Sequence, residues 1–195
     1  YSPLGTILII SPWNYPFYQA IAPISTAFIT GNTSIYKPSE YTPLHGLVEE
    51  LLSDIGMEKF WVQVIYGDST AGKLLVEGNP DKIFFTGSLS TGKKIMAEAA
   101  KTVTPVELEL GGKDPMIVFE SANITRSVAG ATWGAFTNSG QSCTSVERLL
   151  VHESIYDQFK NQLVQSTEKI KLSDKNSKDS DIGAVYIDAQ KQIII

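Results

Sequence analysis

Lys82-Ile83-Phe84-Phe85-Thr86-Gly87-Ser88-Leu89-Ser90-Thr91-Gly92-Lys93 joins two kinds of local pattern. Lys82 to Thr86 is a short apolar run of strand length, and Ser90 to Lys101 has the spacing of a helix. Gly87 and Ser88 form the turn between them. A turn that follows a strand and opens a helix presents backbone N–H groups and the positive end of the helix dipole. Such a turn can hold a phosphate without magnesium. A plain strand-to-helix connection is the open alternative.

The same alternation extends in both directions. Upstream, Leu4 to Ile10 reads as a buried strand, Phe17 to Thr30 as an apolar helix and Thr33 to Tyr36 as a strand. A helix is predicted from Thr42-Pro43, with Thr42 as its N-cap and Pro43 at its first position, ending at Gly56. Val62 to Ile65 and Thr70 to Glu77 supply a further strand and helix. Downstream, Val106 to Leu110, Pro115 to Phe119 and Val146 to Val151 read as strands, with helices over Ile124 to Phe136 and Ser154 to Ile170. Ser173 to Asp181 is a polar, exposed loop. Strands alternating with helices at this rhythm predict an α/β protein. Its first part is an open, mainly parallel, Rossmann-like sheet with helices on both faces, and a second α/β domain follows. The boundary is expected near Gly111-Gly112, giving a nucleotide-binding domain over residues 1–111 and a catalytic domain over 112–195. Ligands of such sheets bind beyond the carboxyl ends of the strands, where the loops at Ser11, Lys37, Gly67 and Gly87 would gather.

Composition removes several alternatives. The chain has 195 residues, 43% of them hydrophobic and 19% charged, as in an ordinary globular protein. A net charge of −5 gives no support to a nucleic-acid or anionic-membrane partner. No apolar run is long enough to span a membrane. The single cysteine leaves no internal disulfide or cysteine-rich zinc site and points to the reducing cytoplasm. His45 and His152 lack metal-ligand spacing and are read as surface residues, so no metal is expected. Gly67-Asp68-Ser69-Thr70-Ala71-Gly72-Lys73 imitates a P-loop, but Leu74 stands where a magnesium-binding hydroxyl belongs. The turn at Gly87 has Lys94 in that place. Neither is a complete motif. The missing initial methionine and the helical run ending in Ile193-Ile194-Ile195 are expected of a piece of a longer protein.

Candidate chemistry centres on Asn138-Ser139-Gly140-Gln141-Ser142-Cys143-Thr144. A lone cysteine is most often a small core hydrophobe. Here its flanks are polar and glycine-hinged, which suits an accessible thiolate nucleophile. Glu107 and Glu109 share one strand face, opposite Leu108 and Leu110. Glu107 fits a solvated edge, whereas Glu109 sits just before the Gly111-Gly112 turn. Asn14 fits a turn residue or an amide donor to an oxyanion. Lys37 and Glu40 fit a surface ion pair, and Lys93 and Lys94 a solvated helix face.

Five segments in order resemble the NAD(P)-dependent aldehyde dehydrogenase superfamily. They are Ser-Pro-Trp-Asn-Tyr-Pro (11–16), Lys-Pro-Ser-Glu (37–40), Phe-Thr-Gly-Ser with Gly92 (85–92), Glu-Leu-Gly-Gly-Lys (109–113) and Gly-Gln-Ser-Cys (140–143). The resemblance implies an aldehyde substrate and NAD as cofactor, with NADP possible. It makes Cys143 the nucleophile, Asn14 an oxyanion donor and Glu109 the base that activates water. It also implies that Trp13, Lys37, Glu40, Gly67, Thr86, Gly87, Ser88, Gly92 and Leu110 line the cofactor site. Lys37 and Glu40 would take the adenosine ribose, Ser88 and the Gly87–Gly92 turn the pyrophosphate, and Leu110 would border the nicotinamide. Glu40 would favour NAD, because a carboxylate repels a 2′-phosphate. Family members are longer than this chain, and the full-length protein is expected to be a homodimer or homotetramer. The competing expectation is a nucleotide-binding module without turnover. A cysteine hydrolase using Cys143 with His152 is a third.

Overall fold

A computed structural model of the chain describes residues 2–172 and 179–194. Most of the expected polar loop from Ser173 lies outside the described residues. The chain divides into two compact units, Tyr1–Leu110 and Gly111–Ile195.

In the first unit β1 (Thr6–Ile10), α1 (Pro16–Ile29), β2 (Thr33–Lys37), α2 (Leu47–Asp54) and β3 (Val62–Val64) follow in order. α3 (Ser69–Glu77), β4 (Lys82–Gly87), α4 (Leu89–Ala99) and β5 (Val106–Leu110) complete it. The five strands are parallel, in the order β3-β2-β1-β4-β5. Chain direction across the sheet therefore reverses beside β1. That reversal falls between the loops after β1 and β4, the position at which open α/β sheets bind ligands.

Apolar residues run without a break through β1 because both of its faces are buried. Ile7 and Ile9 point to one face, against Ala20, Ile24 and Ala27 of α1 and Val48 and Leu52 of α2. Leu8 points to the other, with Val76 of α3, Phe85 of β4 and Ile95 and Ala99 of α4. Leu8 and Ile9 are fully buried. Burial of each such side chain contributes about 1.5–3 kcal/mol.

Two helices differ from the simplest reading of their sequence. α2 begins at Leu47, not at Thr42-Pro43. Leu44 and Gly46 are both left-handed, with φ of 49° and 77°, so no helix can run through them. The Thr42 hydroxyl is engaged elsewhere, donating to the Trp13 carbonyl at 2.9 Å. α1 carries Pro23 in its interior. A proline has no N–H for the carbonyl four residues back, here that of Gln19. The Ser11 hydroxyl takes its place, donating to the Gln19 carbonyl at 2.7 Å.

The second unit contains β6 (Asp114–Val118), α5 (Ile124–Phe136), β7 (Val146–Val151), α6 (Tyr156–Thr167) and α7 (Asp188–Ile194). β6 and β7 pair in parallel, joined through α5. Val118, Val128, Ala131 and Phe159 form its core, with Met116, Leu149 and Val151 packed on it. The Asn123 side chain caps α5 by accepting from the Arg126 amide at 3.0 Å.

Candidate functional site

Ser11, at the end of β1, fixes the loop that carries Trp13 and Asn14. Its amide donates to the Lys37 carbonyl at 3.1 Å, while its hydroxyl holds Gln19. It is also hydrogen-bonded to the Tyr36 hydroxyl. Burial pushes the Tyr36 phenol up to about 12, against a smaller opposing effect of that bond. Trp13 and Asn14 are half-buried. The Thr42 bond to Trp13 ties this loop to the one after β2, which carries Glu40 and follows directly on Lys37.

Lys37 is not the exposed surface pair that its spacing with Glu40 suggests. Only 4% of it is exposed. Its ammonium donates to the Pro38 carbonyl at 3.0 Å and lies 3.7 Å from Glu40. Its stem runs beside Gly72 of α3, where a methyl group would just touch it, at 3.6 Å. A buried ammonium with one neutral acceptor and one longer ion pair retains capacity for a hydroxyl-bearing ligand. The P-loop-like stretch behaves differently. Lys73 is exposed and pairs with Glu77 at 3.6 Å, while Asp68 caps α3 through the Thr70 amide at 2.8 Å. That capping bond holds the Asp68 carboxyl below its usual range. Gly67 precedes this cap, and a methyl group there would lie 2.6 Å from Ala71 Cβ.

At the end of β4 the Thr86 hydroxyl is buried and has no hydrogen-bond partner among the described residues. An orphaned buried hydroxyl beside a crevice is a ready ligand contact. Gly87 is required because the Phe85 ring fills the space of a side chain, 2.5 Å from where a methyl would sit. Ser88 caps α4, accepting from the Thr91 amide at 3.2 Å and contacting the Ser90 and Thr91 hydroxyls. Gly92 is buried where α4 meets β5, and a methyl there would come within 3.0 Å of Leu110. The Leu110 side chain thus packs beneath α4. Glu109 points to the opposite face and is exposed, directly paired in register with Thr86. Glu107, on the same face, pairs with Lys82 at 3.2 Å. A side-chain-free turn, a capped helix start, an orphaned hydroxyl and a buried ammonium at one sheet edge fit a phosphate- and ribose-bearing dinucleotide.

In the second unit Cys143 is half-buried, on a turn in which the Ser145 amide donates to the Ser142 carbonyl at 3.3 Å. Three successive left-handed residues precede it: Asn138, Ser139 and Gly140, with φ of 53°, 60° and 73°. Glycine takes that backbone freely and asparagine tolerates it, so Ser139 is the least suited of the three. The loop is pinched at its base. The buried Ser145 hydroxyl lies 3.2 Å from the Gly134 carbonyl and 3.4 Å from that of Ala135. Gly134 allows Val146 to approach, where a methyl would meet it at 2.6 Å. The Ser139 hydroxyl donates to the Gly183 carbonyl at 2.7 Å. Gln141 donates to the Asn138 carbonyl at 2.8 Å and accepts from the Tyr186 amide at 2.8 Å.

Ser11, Thr42, Gln141 and Ser145 support these loops in roles that the sequence did not indicate. Pro23 inside an apolar helix is the one signal that could have led to Ser11, since it predicts an orphaned Gln19 carbonyl. No local pattern indicates the partners of Thr42 and Ser145 or the Tyr186 partner of Gln141.

The first unit is a doubly wound parallel sheet and the second a βαβ unit that carries Cys143, which defines the class of the chain as an α/β protein with an open, mainly parallel sheet. The aldehyde dehydrogenase family model matches residues 1–194, and the chain belongs to that family. It is 41% identical over 193 residues to 4,4'-diapolycopene aldehyde oxidase of a Methylomonas species, covering 98% of this chain and 36% of that protein. Betaine aldehyde dehydrogenase 1 of rice, Oryza sativa subsp. japonica, is 39% identical over 196 residues, covering 99% and 39%. Among solved structures, betaine aldehyde dehydrogenase of Staphylococcus aureus in complex with NAD+ superposes with a TM-score of 0.91 at 38% identity. That match covers 98% of this chain and 39% of the other. The chain thus spans 36% to 39% of the length of these relatives. No described helix is long and apolar enough to cross a membrane.

Proposed function

We propose that the protein containing this chain oxidises an aldehyde to a carboxylic acid with NAD, through a covalent cysteine intermediate. The observation that carries this reading is the half-buried thiol of Cys143 on a turn held by Ser145 and preceded by a left-handed run. Strained backbone of this kind concentrates at functional sites.

An aldehyde carbon is planar and releases hydride only once a nucleophile has added to it. The Cys143 thiolate adds, and the C–S bond forms as the carbonyl oxygen becomes an alkoxide. The Asn14 amide and the Cys143 N–H stabilise that oxyanion. A dinucleotide held by Lys37, Glu40 and the Gly87–Gly92 turn would supply, when bound, the acceptor for the hydride that leaves this adduct. Collapse of the tetrahedral adduct leaves a thioester on Cys143. Glu109 removes a proton from water, which attacks the thioester and releases acid and thiol. Its exposed position on β5, free of the ion pair that holds Glu107, suits a base that must reach water. In this reading the first unit is the nucleotide-binding domain and the second the catalytic one. Lys37 and Glu40 hold the adenosine ribose, Thr86, Gly87, Ser88 and Gly92 form the phosphate turn, and Trp13, Gly67 and Leu110 shape its surroundings. Packed under α4, Leu110 would act by supporting that turn and through its backbone. A cytoplasmic homodimer or homotetramer fits the lone reduced cysteine and the resemblance.

The test is a panel of aldehydes with the full-length protein, with NAD and NADP in parallel. NADH should form with wild type and be abolished in Cys143→Ser, while Glu109→Gln should stall acid release after one acyl-enzyme turnover. Binding of NAD without turnover on any aldehyde would replace this reading by a nucleotide-binding module. A lower KM for NADP than for NAD would overturn the role of Glu40.

A further inference from the structure

We propose that Gln141 is a positioning residue for Cys143, clamping the left-handed run Asn138–Gly140 to the backbone at Tyr186 and so fixing the turn that carries the thiol. The inference rests on Cys143 being the nucleophile. Gln141 stands between two pieces of backbone that would not otherwise stay where they are. On its N-terminal side lie three left-handed residues, two of them not glycine. L-residues leave that conformation readily unless held. On its C-terminal side the Ser142–Ser145 turn begins at once.

The amide side chain meets both needs because it has a donor and an acceptor on one rigid plane. Its Nε2 donates to the Asn138 carbonyl at 2.8 Å, joining the Gln141 backbone amide, which donates to the same oxygen at 3.2 Å. Its Oε1 accepts from the Tyr186 amide at 2.8 Å. The run is thereby closed into a ring and hooked to a segment far along the chain. That segment is itself anchored. The Asp181 amide donates to the Lys171 carbonyl, its carboxylate accepts from the Lys171 amide at 2.9 Å, and Leu172 bridges to Ile182. Ser139 adds a parallel tie to Gly183 at 2.7 Å. Asparagine could offer the same groups but is too short to reach both partners. A hydrophobe of the same size offers neither.

Releasing the clamp should let the turn open. The thiol then becomes more accessible while losing its fixed direction. Reactivity toward a small reagent and catalytic turnover should therefore move in opposite directions while the thermal midpoint holds; unfolding would move both only with a fall in midpoint, and loss of the thiol lowers both. The experiment compares Gln141→Leu and Gln141→Asn with wild type in the full-length protein. The readouts are the rate of Cys143 alkylation by iodoacetamide, kcat, KM for NAD and the thermal midpoint. Each variant should alkylate at least about fivefold faster, the factor set by losing one ordinary hydrogen bond from the closed state. kcat should fall by about tenfold or more as two such bonds are lost, with KM for NAD unchanged. An unchanged alkylation rate overturns the proposal. So does a fall in kcat that merely tracks a fall in thermal midpoint in both variants. Alkylation does not depend on turnover, so the clamp is tested even if Cys143→Ser shows that the dehydrogenase reading is wrong.

Discussion

The turn after β4 and the loop before β7 both carry residues of the proposed function, and they are built by opposite means. Gly87–Gly92 is local. A glycine clears the Phe85 ring, Ser88 caps the helix it opens, and Gly92 lets α4 settle on β5. Every partner lies within a few residues or on the next strand. Asn138–Ser145 is held from a distance. Its left-handed residues are tied to Gly183 and Tyr186, and its base to Gly134 and Ala135. The first kind of turn is prepared by the helix and strand that frame it. The second keeps its shape only while remote segments are in place.

Substitutions at four positions probe that contrast. The largest effect is expected from Gly87→Ala. Its methyl must displace the Phe85 ring from the core, at a cost of about 1–3 kcal/mol. NAD affinity should fall with the midpoint of thermal unfolding, and an unchanged affinity would separate the turn from the cofactor. Ser145→Ala comes next. It strips the donor from two carbonyls at the base of the cysteine loop and should cost about 1–2 kcal/mol in a denaturant titration. Ser88→Ala removes an N-cap and should cost about 1 kcal/mol, with most of it recovered in Ser88→Asn. If Asn gives no recovery, the hydroxyl contacts matter more than the cap. Ser139→Gly should do least. Relief of a left-handed residue, worth about 1 kcal/mol, offsets loss of the bond to Gly183, worth about as much. A thermal midpoint within about 3 °C of wild type is expected, and a large drop would show that the tie to Gly183 outweighs the strain.

The same contrast explains what was legible in the sequence. The continuous apolar run of β1, the glycine turn after β4 and the Glu107/Glu109 alternation are all short-range patterns. They carried the sheet and the order of elements. The start of α2 was misplaced because Thr42-Pro43 looks like a cap, while the hydroxyl is claimed by Trp13, distant in sequence. Lys37 looked solvent-exposed because nothing in Lys-Pro-Ser-Glu shows that α3 and Gly72 lie over its stem. Cys143 stood out by its flanks, but the clamp on its loop comes from residues 183–186, which no local spacing connects to it.

Pro23 has a consequence for how this region can change over generations. The helix it interrupts is completed by Ser11, a residue outside the helix, through the Gln19 carbonyl. An alanine at position 23 would restore the amide that reaches that oxygen. Ser11 would then be dispensable to α1, whereas with proline in place its loss leaves an acceptor stranded. The two positions can therefore drift in one order only: position 23 first, position 11 afterwards.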